Sequence, residues 1–412
     1  MCNPFTLSAT RTTLMRSIPW RPPLIKPIQL RQPGVIEFGV GRRETLRDHL
    51  SGVTRILAVV DPAVRPAIDD VAQIIESTGR VVEWITEVVP EPPIHEVERL
   101  RSRVRAFAPD CVIGIGGGSA IDLAKILSIL STTDEPVSGI LGIDLVTTRT
   151  PRLIALPTTS GTGSEVTPIA VLTDTDAALK KGVVSRYLIP DVAIVDPALT
   201  VSSPAPVTAS TGIDALTHCI EAFTNVHAHP AVDIYALEGI RLIAGHVARA
   251  VADGTDLTAR SAMALGSLYG GLCLGPVNTA AVHALAYPLG GSFKVPHGVA
   301  NSMLLPHVMR FNLPACALRY VRVAEAMGVI APGIVLESDS RSKIEQAASA
   351  AVDRVVELSR ECGIPRSLTE FGVRQADIDT MAKAAVLVTR LMNNNPRTMS
   401  AAQASEIYRQ AL

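Results

Sequence analysis

Short apolar runs alternate with helix-like segments along the first half of the chain. Five of these runs have the length and continuity of buried strands, at 36–39, 55–61, 81–85, 111–116 and 153–156. Between them, apolar residues recur at helical spacing over 42–50, 64–78, 94–107 and 119–130. Continuous apolar strands separated by helices predict a parallel sheet that is covered on both faces.

The pattern changes after Pro197. Strand-like runs become scarce, and long segments rich in Ala and Leu, over 208–223, 231–251 and 344–362, predict helices. We therefore expect an α/β domain over 34–196 and an all-α domain over 197–412. The length of 412 residues agrees with two domains, at roughly 100–200 residues each.

Composition disfavours several other classes of protein. The formal net charge is −1 and aromatic residues make up only 4%, whereas nucleic-acid-binding proteins usually have a basic surplus and base-stacking aromatics. No apolar run is long enough to span a bilayer, so we predict no membrane partner. The six cysteines are scattered and form no CxxC, which indicates reduced thiols in a cytoplasmic protein.

Residues 1–33 differ from the rest of the chain. Asp and Glu are absent before Glu37, whereas five basic residues and several Ser, Thr and Pro occur there. An acid-poor, Arg-containing start is compatible with a transit peptide, and equally with an untargeted extension. We favour the untargeted extension and expect it to be disordered.

A glycine-rich turn follows the fourth strand and opens a helix. The segment 114–119 reads GIGGGS, and glycines there let the backbone approach a phosphate at a helix N-terminus. The GxGxxG fingerprint fails, because Ser119 and Ile121 stand where glycines are needed. The alternative is a tight turn with a capping box formed by Ser119 and Asp122.

Two further features favour a dinucleotide. Asp61 ends the second strand, where a carboxylate can accept hydrogen bonds from a ribose and repel a 2′-phosphate, which favours NAD over NADP. The loop 157–167, PTTSGTGSEVT, carries six hydroxyl side chains beyond a buried strand and suits a pyrophosphate or nicotinamide amide. A helix cap at Asp61 and an exposed Ser/Thr loop are the alternative interpretations.

The second half contains a metal-ligand pattern. Asp214 and His218 are four residues apart on one face of a predicted helix, and His283 and His297 follow. One carboxylate and three imidazoles suit Fe(II) or Zn(II). Each residue also has an ordinary explanation, such as a surface pair for Asp214 and His218 or a turn cap at His297, and spacing does not show whether the four converge.

Six segments carry a family resemblance. They are GGGSAIDLAK at 116–125, PTTSGTGSEVT at 157–167, GIDALTH at 212–218, VHALAYPLGG at 282–291, VPHGVANSMLLPHVMRFN at 295–312 and NNPR at 394–397. From about Gly34 onward the chain resembles iron-dependent (group III) alcohol dehydrogenases, which are similar in fold to glycerol dehydrogenase and dehydroquinate synthase. The resemblance implies that the α/β domain over 34–196 is dinucleotide-binding and that the all-α domain over 197–412 is metal-binding. It also implies hydride transfer between NAD(H) and a small primary alcohol or aldehyde in a homodimer or larger homo-oligomer.

The resemblance also assigns roles to residues. It implies that a divalent metal ion, Fe²⁺ in the first place and Zn²⁺ in the second, is bound by Asp214, His218, His283 and His297. It implies cofactor contacts for Asp61, Gly117, Gly118, Ser119, Asp122, Thr158, Thr159, Thr162, Thr167 and Lys180. The spacing to Pro190 favours Lys180 over its neighbour Lys181 for this role.

The chain departs from the family pattern at Tyr287, where many members carry a second histidine that serves in proton relay. A phenol with an ordinary pKa near 10 is a poor base at neutral pH. The region 89–92 lacks a frequent Asn and has Glu91 instead. Two other classes of function therefore stay open. The first is a metal-free enzyme similar to maleylacetate reductase. The second is a non-redox role, either as a cyclase or lyase similar to dehydroquinate synthase or as a catalytically silent assembly protein.

Overall fold

The first half of the chain forms a six-stranded parallel sheet. The computed structural model describes residues 25–175 and 179–412. The strands of the described residues, which belong to this sheet and to a smaller one, are β1 (Val35–Phe38), β2 (Arg55–Val60), β3 (Val81–Ile85), β4 (Cys111–Gly116), β5 (Gly142–Ile143), β6 (Arg152–Pro157), β7 (Ile169–Asp174), β8 (Leu179–Val184) and β9 (Val192–Val195). The large sheet has the order β1-β9-β6-β4-β2-β3, and all of its pairings are parallel.

Helices cover both faces of this sheet, as the apolar pattern predicted. They are α1 (Leu46–His49), α2 (Asp69–Glu76), α3 (Ile94–Phe107), α4 (Gly118–Leu130) and α5 (Val137–Ile140). Alternate residues of β2 point to opposite sides: Leu57 and Val59 join a core with α3 and α4, and Ile56 and Val60 join a core with α1 and α2. The predicted parallel α/β fold is therefore confirmed.

A small second sheet, with the order β5-β8-β7, was absent from the sequence prediction. Strands β7 and β8 form an antiparallel pair, in which Thr173 lies opposite Lys180. The segment LKKGVV of β8 has a half-exposed pattern with two lysines, and such a pattern carries little of the apolar signal that marks a buried strand.

The second half of the described chain is helical. Its helices are α6 (Ala205–Thr224), α7 (Pro230–Ala252), α8 (Leu257–Leu274), α9 (Ala281–Phe293), α10 (His297–Ala326, interrupted at Cys316), α11 (Arg341–Glu361), α12 (Ile378–Val386), α13 (Thr389–Met392) and α14 (Ala401–Ala411). They enclose one large apolar core. The predicted all-α second half is confirmed, and the predicted helices over 208–223, 231–251 and 344–362 correspond to α6, α7 and α11.

The expected disorder of residues 1–33 concerns two different stretches. Residues 1–24 lie outside the described residues. Residues 25–33 are described and make contacts: Ile28 packs against the helical core, and the Lys26 carbonyl lies 2.8 Å from Nε2 of His229. Disorder therefore does not extend to this second stretch. Among residues 25–175 and 179–412, none of the helices is long and apolar enough to cross a membrane.

Candidate active site

Helix α6 carries three buried polar side chains on one face. Asp214, His218 and Glu221 are 2%, 4% and 4% exposed, in a helix whose other central residues are mostly apolar. Their spacing of four and three residues aligns them along the helix. His218 Nε2 lies 3.8 Å from Asp214 Oδ1. Because both side chains are buried, the interpretation of Asp214 and His218 as a surface pair is wrong.

Helix α9 brings His283 to the same place. Its ring stacks on that of His218 with 4.9 Å between centroids. Nδ1 of His283 lies 2.6 Å from Glu221 Oε2, and the other Glu221 oxygen accepts from the backbone N–H of Val282 at 2.7 Å. Since a carboxylate only accepts, the proton of His283 is on Nδ1, and Nε2 presents a lone pair.

His297 completes the group from the first turn of α10. Its ring centroid is 5.3 Å from that of His283. Asn301, one turn further, donates its amide N–H to Asp214 Oδ1 at 2.7 Å and lies 3.1 Å from His297 Nε2. On the other side, Lys180 Nζ is 3.5 Å from His297 Nδ1. His297 therefore begins a long helix and does not cap an isolated turn.

These side chains fit a divalent metal ion. His283 Nε2 is buried without a hydrogen-bond partner and lies 3.7 Å from Asp214 Oδ1. That separation is too long for a hydrogen bond, but it suits two ligand atoms that each bind one ion at about 2 Å. Ligand atoms of Asp214, His283 and His297 all lie within 4.8 Å of one another, and His218 adjoins this group.

The charge states of these groups also suit a metal. Burial raises the pKa of Asp214, but His218, His297, His283 and the Asn301 hydrogen bond together lower it to about 2. Burial lowers the pKa of His218, and burial together with Lys180 lowers that of His297. At neutral pH Asp214 is therefore an ionised carboxylate, and His218 and His297 are neutral imidazoles, the forms that coordinate cations.

The glycine turn (residues 114–119) and the loop 157–167, here called the threonine loop, lie against each other. They face Asp214 and the three histidines, which together are called the metal-ligand group. Helix α4 begins at Gly118, and a Cβ added there would lie 2.6 Å from Thr162 Cγ2. No side chain caps this helix, whose N-cap is Gly117. The capping-box alternative is therefore wrong: Ser119 Oγ accepts from the backbone N–H of Glu91 at 3.1 Å, and Asp122 accepts from Ser164 and from the backbone N–H of Val171.

A buried lysine holds the threonine loop to α4. Lys125 is 0% exposed and donates to Ser164 Oγ, to both oxygens of Thr167 and to the carbonyl of Ile169, at 2.7–3.0 Å. Burial lowers the pKa of Lys125 to about 8, and burial raises that of nearby Glu165 to about 7. The loop is thus a fixed, buried element, and its interpretation as an exposed Ser/Thr loop is wrong.

One cleft joins the metal-ligand group to the loop and turn. Of the residues predicted for the site, those that line it are Gly118, Ser119, Asp122, Thr162, Thr167, Lys180, Asp214, His218, His283 and His297. Lys180 lies on the cleft side of β8, whereas Lys181 pairs with Asp174 at 2.7 Å and is 44% exposed.

Four predicted cofactor residues lie outside the lining of this cleft. Gly117 and Thr159 adjoin each other, since a Cβ at Gly117 would lie 3.5 Å from Thr159 Oγ1. Thr158 is buried, and its backbone N–H donates to the carbonyl of Gly116. Asp61 lies beside the glycine turn and accepts from the backbone N–H of Ala63 at 2.9 Å. This hydrogen bond closes a turn, but the helix that follows begins after Val64 and has no side-chain cap, so the helix-cap alternative is wrong. The ribose contact of Asp61 stays a prediction.

Sequence reasoning missed four residues that build the site. They are Lys125, Glu221, Asn301 and Arg390. A signal existed for Glu221, because it continues the helix face of Asp214 and His218 by three residues. A signal existed for Asn301 as well, four residues after His297. Arg390 had none, because its position in the cleft depends on the packing of distant helices.

The comparisons with known proteins agree with this geometry. Residues 33–197 match the family model of the iron-containing alcohol dehydrogenases, and residues 208–412 match the model of their C-terminal part. Long-chain-alcohol dehydrogenase 1 of Geobacillus thermodenitrificans is 41% identical over 369 residues, 87% of this chain and 90% of that protein.

Two further relatives extend the comparison. NAD-dependent methanol dehydrogenase of Bacillus methanolicus is 33% identical over 344 residues, 84% of this chain and 88% of that protein. The crystal structure of a 1,3-propanediol oxidoreductase superposes with a TM-score of 0.88 at 35% identity, and the match covers 94% of this chain and all of that one. The chain described here therefore belongs to the iron-containing alcohol dehydrogenase family of oxidoreductases.

Proposed function

We propose that the chain is a metal-dependent NAD(H) alcohol dehydrogenase or aldehyde reductase that acts on small primary alcohols and aldehydes. The observation that carries the proposal is the convergence of Asp214, His218, His283 and His297 opposite the glycine turn and threonine loop. The proposed ion is Fe²⁺, with Zn²⁺ second, and the proposed cofactor is NAD rather than NADP. When bound, these two groups supply Lewis-acid polarisation of the substrate oxygen and the hydride carrier.

The chain's own residues prepare the site for this chemistry. Glu221 holds His283 in the tautomer whose Nε2 lone pair faces the cleft. Asn301 fixes the Asp214 carboxylate by its amide hydrogen bond. Asp122, held by Ser164 and Val171, presents a rigid acceptor edge for ribose hydroxyls beside the open N-terminus of α4.

Tyr287 occupies the position where many family members have a relay histidine. Burial raises the pKa of its phenol, although Arg390 opposes this shift. The phenol therefore stays protonated at neutral pH. It accepts a hydrogen bond from Arg390 Nη2 at 3.3 Å, lines the cleft and keeps its own O–H available to donate. Proton exchange with solvent does not require Tyr287 to ionise in this proposal.

The test combines metal content, cofactor binding and turnover. His297→Ala should lose bound metal and at least about 100-fold in NADH-dependent aldehyde reduction, because one ligand is gone, while NAD⁺ affinity measured by calorimetry changes little. His95→Ala is the matched control, since His95 is exposed. Full activity in His297→Ala, or in exhaustively chelated enzyme, would contradict the metal proposal. Absence of hydride exchange with every alcohol tested, despite bound metal and NAD⁺, would favour a non-redox function.

Two parts of the proposal rest on the family resemblance. One is a homodimeric or larger assembly, which the resemblance implies, and the other is a cytoplasmic location, which the scattered cysteines also favour. Light scattering coupled to size-exclusion chromatography tests the first, and fractionation of the source cells tests the second.

A further inference from the structure

An arginine stands in the substrate cleft without a carboxylate partner. Helix α13 (Thr389–Met392) places Arg390 in the lining, where its Nη2 donates to Tyr287 Oη at 3.3 Å. Across residues 25–175 and 179–412, no carboxylate oxygen lies within 4.0 Å of its guanidinium. The arginine thus has most of its five N–H donors available to a ligand.

The other charges of the cleft are already matched. Lys180 pairs with Glu91 at 2.5 Å. Asp122 lies 3.9 Å from Lys125 Nζ and accepts two hydrogen bonds, and Asp214 faces the metal-ligand histidines. A guanidinium drawn into a cleft without an opposite charge is stabilised when a bound anion provides that charge.

The position of Arg390 relative to the metal-ligand group sets the length of such an anion. Tyr287 follows His283 by one helical turn on α9, which corresponds to about 6 Å along the helix axis. Both side chains line the same cleft. A substrate whose reacting oxygen lies near His283 must span about this distance to reach Tyr287 and Arg390 with its far end. A chain of about three to four carbons has that length.

We propose that Arg390 and Tyr287 form an anion subsite, and that the preferred substrates are short aldehydes with a carboxylate at the far end, together with the corresponding ω-hydroxy acids. This inference rests on the proposed function. The guanidinium binds the carboxylate through paired N–H donors, and the Tyr287 hydroxyl adds a third donor. The reaction balances as aldehyde plus NADH plus a proton giving alcohol plus NAD⁺, and the carboxylate is unchanged.

Two aldehydes of equal length test the inference. Succinate semialdehyde carries a carboxylate, and butanal carries none. The wild-type enzyme should have at least a tenfold higher kcat/KM for succinate semialdehyde, and this preference should fall as salt concentration rises. Arg390→Gln should lower kcat/KM for succinate semialdehyde by about 10- to 100-fold, the range for one lost charged hydrogen bond. It should lower kcat/KM for butanal by a much smaller factor, so that the preference between the two aldehydes is lost.

Two variants serve as controls. Arg390→Lys should recover part of the preference, because it keeps the charge but not the paired donors. Lys383→Gln removes one positive charge from the exposed surface of α12 and should leave kcat/KM unchanged for both aldehydes.

The outcomes separate the inference from the proposed function. Reduction of butanal without preference for succinate semialdehyde overturns the anion subsite alone. Equal losses for both aldehydes in Arg390→Gln, or a raised KM for NADH, overturn it in favour of a structural or cofactor-binding role. Failure to reduce any aldehyde, in metal-loaded wild-type enzyme, counts against the proposed function itself. The wild-type ratio and its salt dependence decide the question even if Arg390→Gln does not fold.

Discussion

The orientation of one imidazole determines what the site can bind. His283 has Nδ1 against Glu221 and an unpartnered Nε2 that faces Asp214. A ligand histidine whose other nitrogen donates to a carboxylate is more basic and is held in one rotation. Glu221 would therefore support the proposed metal site by orienting His283, without itself binding the ion.

Glu221→Gln tests this role. The amide keeps the shape of the side chain but removes the negative charge, so we expect metal affinity to fall by about 10- to 100-fold. A competitive chelator titration measures the loss, and excess metal should restore turnover. Glu238→Gln is the control, because Glu238 is half-exposed on α7 and pairs with Arg241 away from the cleft. Unchanged metal affinity would show that Glu221 only stabilises the fold.

Asp61 tests the choice between NAD and NADP. Asp61→Gly should raise the ratio of kcat/KM for NADP to that for NAD, because a carboxylate repels the 2′-phosphate. Asp61→Asn is the informative companion, since its carbonyl can still accept from the backbone N–H of Ala63. A raised ratio in both variants assigns the effect to charge. An unchanged ratio in both contradicts the predicted role.

The candidate site was predictable from the sequence only in part. Asp214, His218, His283 and His297 stand in motifs, so their types and order were visible. Arg390 is a single arginine between apolar residues, and such a residue usually lies on the surface. Its place in the cleft follows from the packing of α13 near α9 and β8. These contacts join residues more than 100 positions apart, which no local pattern encodes.

At the scale of elements, one amine joins a helix to a loop. Lys125 of α4 satisfies four acceptors around the threonine loop and β7. The sequence predicted the helix and the loop separately, but not their connection, because a lysine in a helix is most often exposed.

Lys125→Met should lower the free energy of unfolding by about 3 kcal/mol, because buried acceptors lose their donor. It should also raise the KM for NAD⁺, since Ser164 and Thr167 are no longer held. Urea denaturation and steady-state kinetics measure the two effects. Lys383→Met is the exposed control. Wild-type stability in Lys125→Met would show that its acceptors find other partners.

At the scale of the whole molecule, the threonine loop meets the helical half backbone to backbone. A Cβ added at Gly271 of α8 would lie 2.6 Å from the carbonyl oxygen of Gly163, and one at Gly163 would lie 2.4 Å from the Cα of Gly271. Gly163 also has φ +61°, which disfavours other residues. The two halves therefore approach closely at the threonine loop.

Gly271→Ala should separate the halves at this point and lower the free energy of unfolding by about 1–3 kcal/mol, as overpacking does. Gly245→Ala is the matched control on α7, where an added Cβ has nothing within 4 Å. It should stabilise by about 0.5–1 kcal/mol through helix propensity. Thermal unfolding and NAD⁺ affinity measure both variants. Equal effects from the two would show that the contact between Gly163 and Gly271 is not tight.

The sheet order has a consequence for synthesis. Strand β1 pairs with β9, so Val35 finds its partner Val192 only after more than 150 further residues have been translated. At about 5–20 residues per second, that delay is on the order of 10–30 s. During this interval the nascent chain carries an unpaired strand, and β2, β3 and β4 can pair without it. Ribosome-bound chains halted before β9 should therefore hold β1 accessible to proteases, whereas chains halted well beyond Val195 should protect it.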